Sequence, residues 1–122
     1  MNLHLQEKII IVSGGAKGIG EGIATLLAEE GAIPVIIGRD ENDNNKFVTS
    51  LQANGYKAGQ VVAELSDPLQ CENAIKQIVA NYGRIDGLVN NAGVNDTINL
   101  ENGNYEGFMS SLHKNVVHYY LL

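Results

Sequence analysis

The chain has 122 residues, 44% of them apolar, with eight basic residues against fourteen acidic ones and a net charge of -6. That is the size of one ordinary domain with enough apolar matter for a core, and the acidic balance argues against a nucleic-acid partner, because phosphate-backbone binders are basic. The single Cys71 excludes an intramolecular disulfide, "MNLHLQEK" lacks the basic-then-apolar layout of a signal peptide, and no apolar run approaches a membrane span, so the expectation is a cytoplasmic chain with no membrane partner.

In chain order, "KIIIV" (8–12) is a continuous β-branched run, as in a strand buried on both faces. Ile19, Ile23, Leu26 and Leu27 then fall at helical spacing, and Gly31 closes that helix. "IPVIIG" (33–38) predicts a second buried strand, with Pro34 tolerable near its start. The polar "DENDNNKF" opens a helix carrying Phe47, Val48 and Leu51 and ending at Gly55. "AGQVVAEL" (58–65) predicts a third strand. Ser66 or Asp67 caps the next helix, Pro68 sits in its first turn, Ile75, Ile78, Val79 and Tyr82 form its face, and Gly83 ends it. "IDGLVNNAG" (85–93) predicts a fourth strand running into a loop. After "NDTINLENGN" a last helix places Tyr105, Phe108, Met109, Leu112, Val116 and Tyr119 on one side, as core or subunit interface, and the sequence ends within it.

The order βαβαβαβα predicts a parallel α/β sheet with right-handed crossovers. The stretch "SGGAKGIG" (13–20) holds four glycines between the first strand and the first helix. Glycines at such a junction allow a tight turn, let backbone approach a pyrophosphate, and let helix and strand pack closely, while the helix N-terminus offers free N–H groups to phosphate. The spacing is Gly14-x3-Gly18-x-Gly20 rather than G-x-G-x-x-G, and Lys17 is followed by Gly18, not by Ser or Thr, so a P-loop is excluded. By spacing alone, a tight turn without any ligand stays open. His113 and His118 are five apart on the predicted helix and share no face, and Cys71 is distant, so no metal site is expected.

"SGGAKGIG" followed by "LVNNAG" at 88–93 resembles the classical short-chain dehydrogenase/reductase family, whose patterns are TGxxxGxG and NNAG, and "KNVVHYY" (114–120) is similar to the family's fourth-helix segment. The resemblance covers the whole chain. It implies a Rossmann-type doubly wound parallel sheet with strand order 3-2-1-4. By it, Ser13, Gly14, Lys17, Gly18, Ile19 and Gly20 belong to the cofactor site, with the three glycines along the pyrophosphate. Asn90, Asn91, Ala92 and Gly93 lie along the ribose and brace the central strands. Asn115 matches the family's catalytic Asn. Ser13 replaces the usual Thr and keeps its hydroxyl. Glu64 stands where an Asp usually contacts the adenine, with Leu65 next to it in the site. The family's acidic position after the second strand falls on Gly38, and Arg39 follows it, as in members that use NADP; Asp40, able to pair with Arg39 or take the ribose, speaks for NAD.

The family's reaction needs a Ser, and a Tyr with a Lys that lowers its pKa, since a phenol titrating near 10 is a poor acid or base at neutral pH. None of the five tyrosines begins a YxxxK, and family members are about twice this length. The expectation is therefore one incomplete dinucleotide-binding domain (1–122), the N-terminal half of an oxidoreductase acting on an alcohol or carbonyl substrate, inactive by itself. "GAIPVIIGR", "NNAGVND" and "NVVHYY" are similar to bacterial sugar dehydrogenases of the L-fucose type. The family also implies a homo-oligomer using the last helix. Two other readings stay open: a half-domain that binds a nucleotide or a partner without catalysis, and a remnant of the fold that binds nothing.

Overall fold

The computed structural model describes residues 2–94, 99 and 101–122. Among them the order is β1 (Ile9–Ser13), α1 (Gly18–Glu29), β2 (Ile33–Gly38), α2 (Glu41–Ala53), β3 (Gly59–Val62), α3 (Pro68–Tyr82), β4 (Gly87–Val89), α4 (Tyr105–Leu112), a π-helical turn (His113–Val117) and α5 (His118–Leu121). Four parallel strands form a sheet in the order β3-β2-β1-β4, with Val12 level with Ile36 on one side and Val89 on the other. The parallel α/β sheet is as the alternation predicts, and the doubly wound fold with this strand order is as the resemblance implies. β3 and β4 are shorter than their apolar runs, because only Gly59–Val62 and Gly87–Val89 find a neighbouring ladder.

The period of two along a strand sends alternate side chains to opposite faces. Ile9, Ile11, Val35, Ile37 and Val61 meet Cys71, Ala74 and Ile78 of α3, with Leu121 and Leu122 alongside. Val12 and Ile36 meet Ala24 and Ala28 of α1 and Phe47, Val48 and Leu51 of α2 on the other face. Each such large side chain contributes about 1.5–3 kcal/mol of burial.

Helix faces differ from the periodicity in one respect. α1 buries Gly20, Ala24 and Ala28, while Ile19 and Leu26 are exposed. Small residues let α1 lie close to the sheet, so the contact runs one position away from the bulky ones. Val79 of α3 is exposed for the same reason: Cys71, Ala74 and Ile78 take the inner line.

Helix ends follow the sequence signals. Asp40 Oδ1 accepts from Asp43 N at 3.0 Å, and Asp67 Oδ1 accepts from Leu69 N at 3.0 Å, with Pro68 at the first position. Gly31, Gly55 and Gly83 follow α1, α2 and α3 with positive φ. Asp86 ties the base of the sheet. Its Oδ2 accepts from Ile9 N at 2.8 Å and from Arg84 Nε at 2.9 Å, and the Ile9 N–H, helped by Arg84, holds its carboxyl below the usual range. No helix among the described residues is long and apolar enough to cross a membrane.

The last helix departs most from expectation. It is broken by the π-helical turn, and its aromatic stripe is not core: Tyr105, Phe108, Met109, Val116 and Tyr119 are exposed. The buried residue of this segment is His118.

Candidate functional site

The carboxyl ends of β1, β2 and β4 open onto a cleft of about 440 Å³. Outside these ends, where the strand order reverses from β1 to β4, is the place where open α/β sheets bind ligands. Its floor is the glycine turn and the loop after β4, and the two are interlocked. Ser13 Oγ accepts from Asn91 N at 3.0 Å and from Ala92 N at 3.1 Å, and donates to Val89 O at 3.4 Å. The Asn91 amide donates from Nδ2 to the carbonyls of Ser13 and Gly14, both at 3.2 Å. Ser13 is fully buried, so these bonds satisfy groups that water does not reach.

This closeness is why glycine stands at two of the positions. A Cβ on Gly14, whose φ is +67°, would lie 2.8 Å from Ala92 Cα. A Cβ on Gly20 would run into Asn91 Nδ2 and, at 2.5 Å, the Gly14 carbonyl. Gly18 differs: nothing lies within 4 Å of where its Cβ would be. It begins α1, whose N-cap Lys17 makes no side-chain cap, whereas Asp40, Asp67 and Asn104 cap α2, α3 and α4. The first-turn N–H groups of α1 and its dipole are thus presented to open space beside the cleft, an arrangement suited to a phosphate. Asn90 Oδ1 is buried without a hydrogen-bond partner among the described residues. These features fit a dinucleotide lying from the start of α1 along the loop after β4.

Gly14, Lys17, Arg39, Glu64, Leu65, Asn91, Ala92 and Gly93 all line the cleft. Ser13 lies beneath its floor, and Gly18, Ile19 and Gly20 form the first turn of α1, with Ile19 exposed. Asn115 stands behind the loop: its Oδ1 accepts from Val94 N at 2.6 Å, and its Nδ2 donates to Ser111 O at 3.0 Å.

The charges pair differently from the expectation. Arg39 does not pair with Asp40; its Nη1 lies 3.8 Å from Glu64 Oε2, and Asp40 is engaged as the cap of α2. Glu64 Oε1 accepts from the Ser66 hydroxyl at 3.0 Å. Lys17 Nζ lies 2.7 Å from Asp43 Oδ2, and this neighbour raises the pKa of its ammonium group. Both pairs are largely exposed and hold their partners only weakly.

Three residues escaped the sequence reading. Asn44, 1% exposed, donates to the Gly38 carbonyl at 3.0 Å, and a Cβ on Gly38 would meet its Oδ1 at 2.7 Å. Any side chain at 38 would have to displace the Asn44 amide, and an Asn within the polar "DENDNNKF" gives no sign of this. His113 and His118 both turn toward the body of the protein. His113 Nε2 lies 2.6 Å from Ser66 O, and His118 Nε2 lies 3.0 Å from Ala92 O. Regular helical spacing sets such a pair apart, but the π-helical turn between them, with its i→i+5 ladder, brings residues five apart toward one line. Among the described residues no three His, Cys, Asp or Glu side chains stand together to hold a metal. Asn95 and Asp96, the end of "NNAGVND", lie outside the described residues.

A family model for the short chain dehydrogenases matches residues 8–122. Hydroxynaphthalene reductase arp2 of Aspergillus fumigatus is 35% identical over 107 residues, which cover 87% of this chain and 39% of that protein. Among solved structures, Cj0485 dehydrogenase superposes with a TM-score of 0.86 at 37% identity, covering 99% of this chain and 46% of that one. The citronellol catabolism dehydrogenase of Pseudomonas aeruginosa gives 0.88 at 30% identity, covering 96% and 48%. The chain spans less than half the length of the curated relatives it matches.

Proposed function

The chain belongs to the short-chain dehydrogenase family, and from that premise we propose that it is the cofactor-binding part of an oxidoreductase moving hydride between NADP and an alcohol or carbonyl substrate. The observation that carries this is the interlock of the glycine turn with residues 90–93 beside an uncapped helix start. Gly14, Gly18 and Gly20 admit the pyrophosphate, Ile19 covers it, and Asn91, Ala92 and Gly93 follow the ribose. Glu64 and Leu65 border the adenine end. A nicotinamide dinucleotide held there supplies the hydride acceptor or donor.

Arg39 supports NADP over NAD. No carboxylate stands at position 38 to repel a 2′-phosphate, and among the described residues the guanidinium beside it faces an exposed carboxylate at 3.8 Å. Asn115 is the one member of the family's catalytic set within this sequence, and we assign it to the catalytic centre of the whole protein. The substrate we favour is a sugar, on the likeness of "GAIPVIIGR" and "NVVHYY" to L-fucose-type dehydrogenases. The exposed face of α4 and α5 is the surface we assign to a homo-oligomer, and the cytoplasm is the compartment that the single thiol suits. A second reading stands beside it: a module that binds the dinucleotide without turning it over.

Two assays test the first reading. The purified 122-residue chain should bind dinucleotide and give no turnover of alcohols or sugars; turnover would overturn the assignment of the chemistry to residues outside it. In the full-length protein, Arg39→Ala should lower the preference for NADPH over NADH by about 10-fold or more, the weight of one charge-assisted contact. Equal wild-type affinity for the two would make Arg39 a surface residue.

A further inference from the structure

Residues 90–94 are gripped from two sides. On the sheet side, Ser13 takes the N–H groups of Asn91 and Ala92. On the helical side, Asn115 takes the N–H of Val94, and His118 reaches the carbonyl of Ala92. Gly93 lies between the last two anchors; a Cβ there would stand 2.9 Å from Asn115 Oδ1. The Ala92 residue is therefore fixed at both its polar atoms, and its Cα rests against Gly14. A shift of its carbonyl would pass directly to the glycine turn.

His118 is 1% exposed and touches Tyr119 ring to edge, at a centroid distance of 4.9 Å. A carbonyl only accepts, so the proton of the ring is on Nε2 and Nδ1 carries a lone pair. That Nδ1 is buried and has no partner among the described residues. An unpaired buried acceptor is a cost that a ring without nitrogen would not incur. As a core filler His118 is thus a poor choice, and what distinguishes it is the donor it points at Ala92. The preceding π-helical turn, a feature often found at functional sites, changes the phase of the helix and turns this residue inward while Val117 and Tyr119 stay exposed.

We propose that His118 is a positioning residue: by donating from Nε2 to the Ala92 carbonyl it presets residues 91–94 in the arrangement that receives the dinucleotide. The link to affinity rests on the cofactor reading above; the link to the loop does not.

The test compares the wild-type protein with His118→Gln, whose terminal amide N–H reaches a similar point, and His118→Phe, which fills the space without a donor. Hydrogen exchange at the Ala92 and Val94 amides is followed without dinucleotide, and NADPH affinity and the thermal midpoint are measured in parallel. The expected result is that His118→Phe remains folded, exchanges these amides about 10-fold faster and binds NADPH about 3- to 10-fold more weakly, the worth of one hydrogen bond. His118→Gln restores most of both. Wild-type exchange and affinity in His118→Phe would overturn the proposal. So would losses that Gln does not restore and that follow the midpoint in every variant. If wild type binds neither NADPH nor NADH, the cofactor reading fails, and the exchange comparison alone decides for or against the positioning of the loop.

Discussion

The sheet and helices of residues 9–89 enclose an apolar core on each face of the sheet, whereas the helical segment of residues 105–122 buries a histidine and leaves its aromatic side chains in solvent. Val12, Val35, Ile36 and Ile37 have no exposed surface, while Tyr105 and Tyr120 are 73% and 93% exposed. The first region is held by area removed from water on both faces of a sheet. The second meets the body mainly through directed polar contacts, His118 to Ala92, Asn115 to Val94 and His113 to Ser66, with Leu121 and Leu122 as its apolar anchor. The difference teaches where function sits. Apolar burial builds the frame, and hydrogen bonds to the loops after β3 and β4 hold the last segment beside the cleft.

Substitutions in each region sharpen this contrast. Ile37→Ala removes a fully buried side chain between β1 and β3 and should cost about 2–5 kcal/mol in urea unfolding. A cost below 1 kcal/mol would mean the sheet is not the frame.

Ser13→Ala comes next, because the hydroxyl joins the two loops of the cleft. Its loss leaves the buried N–H groups of Asn91 and Ala92 without their acceptor, and about 1–3 kcal/mol of stability should go, together with dinucleotide affinity. If affinity is unchanged, the interlock does not shape the site.

The pH dependence of stability probes the second region. Burial pushes the His118 imidazole below its ordinary value, against a smaller raising effect of the Ala92 carbonyl. The unfolded chain then binds more protons than the folded one between that depressed value and the ordinary histidine range near 6.5, so stability falls as pH drops through this window. Below the depressed value His118 causes no further loss. Glu7, Glu72 and Asp86, whose carboxyls are held below their usual range, contribute stability that is lost only in the more acidic carboxylate range. Denaturant midpoints measured across the histidine window should slope in wild type and flatten in His118→Gln. An unchanged slope in the variant would show that His118 is not neutral and buried. The smallest effect is expected at Phe108→Ala, within about 0.5 kcal/mol, because the ring is 60% exposed in the single chain.

How much of this was legible in the sequence follows the same divide. Strand and helix order, the Asp67 and Pro68 start of α3 and the glycines after α1, α2 and α3 could be read because local chemistry and periodicity agree with the tertiary outcome there. The glycine turn and "NNAG" stand out in the sequence because their residue types are constrained by backbone closeness, as Gly14 and Gly20 against residues 91 and 92 illustrate. What escaped depends on contacts between distant segments. Asn44 under Gly38, Arg39 reaching Glu64 rather than Asp40, and the inward turn of His118 each arise from a register that no local pattern encodes. The stripe of Tyr105, Phe108 and Val116 on the last helix has the spacing of a buried face; of the two outcomes expected for it, core and subunit interface, the single chain excludes the first.

Calorimetric titration of the protein with NADPH, wild type beside a folded Gly20→Ala variant, tests most directly whether the interlocked loops hold a dinucleotide. A Cβ at position 20 would push Asn91 and the Gly14 carbonyl aside, and overpacking of about 1–3 kcal/mol corresponds to roughly 5- to 150-fold in affinity. The expected result is saturable binding at one site per chain in wild type and a loss of that size in the variant. Binding of equal strength in the variant, or no binding of NADPH or NADH by wild type, would contradict it.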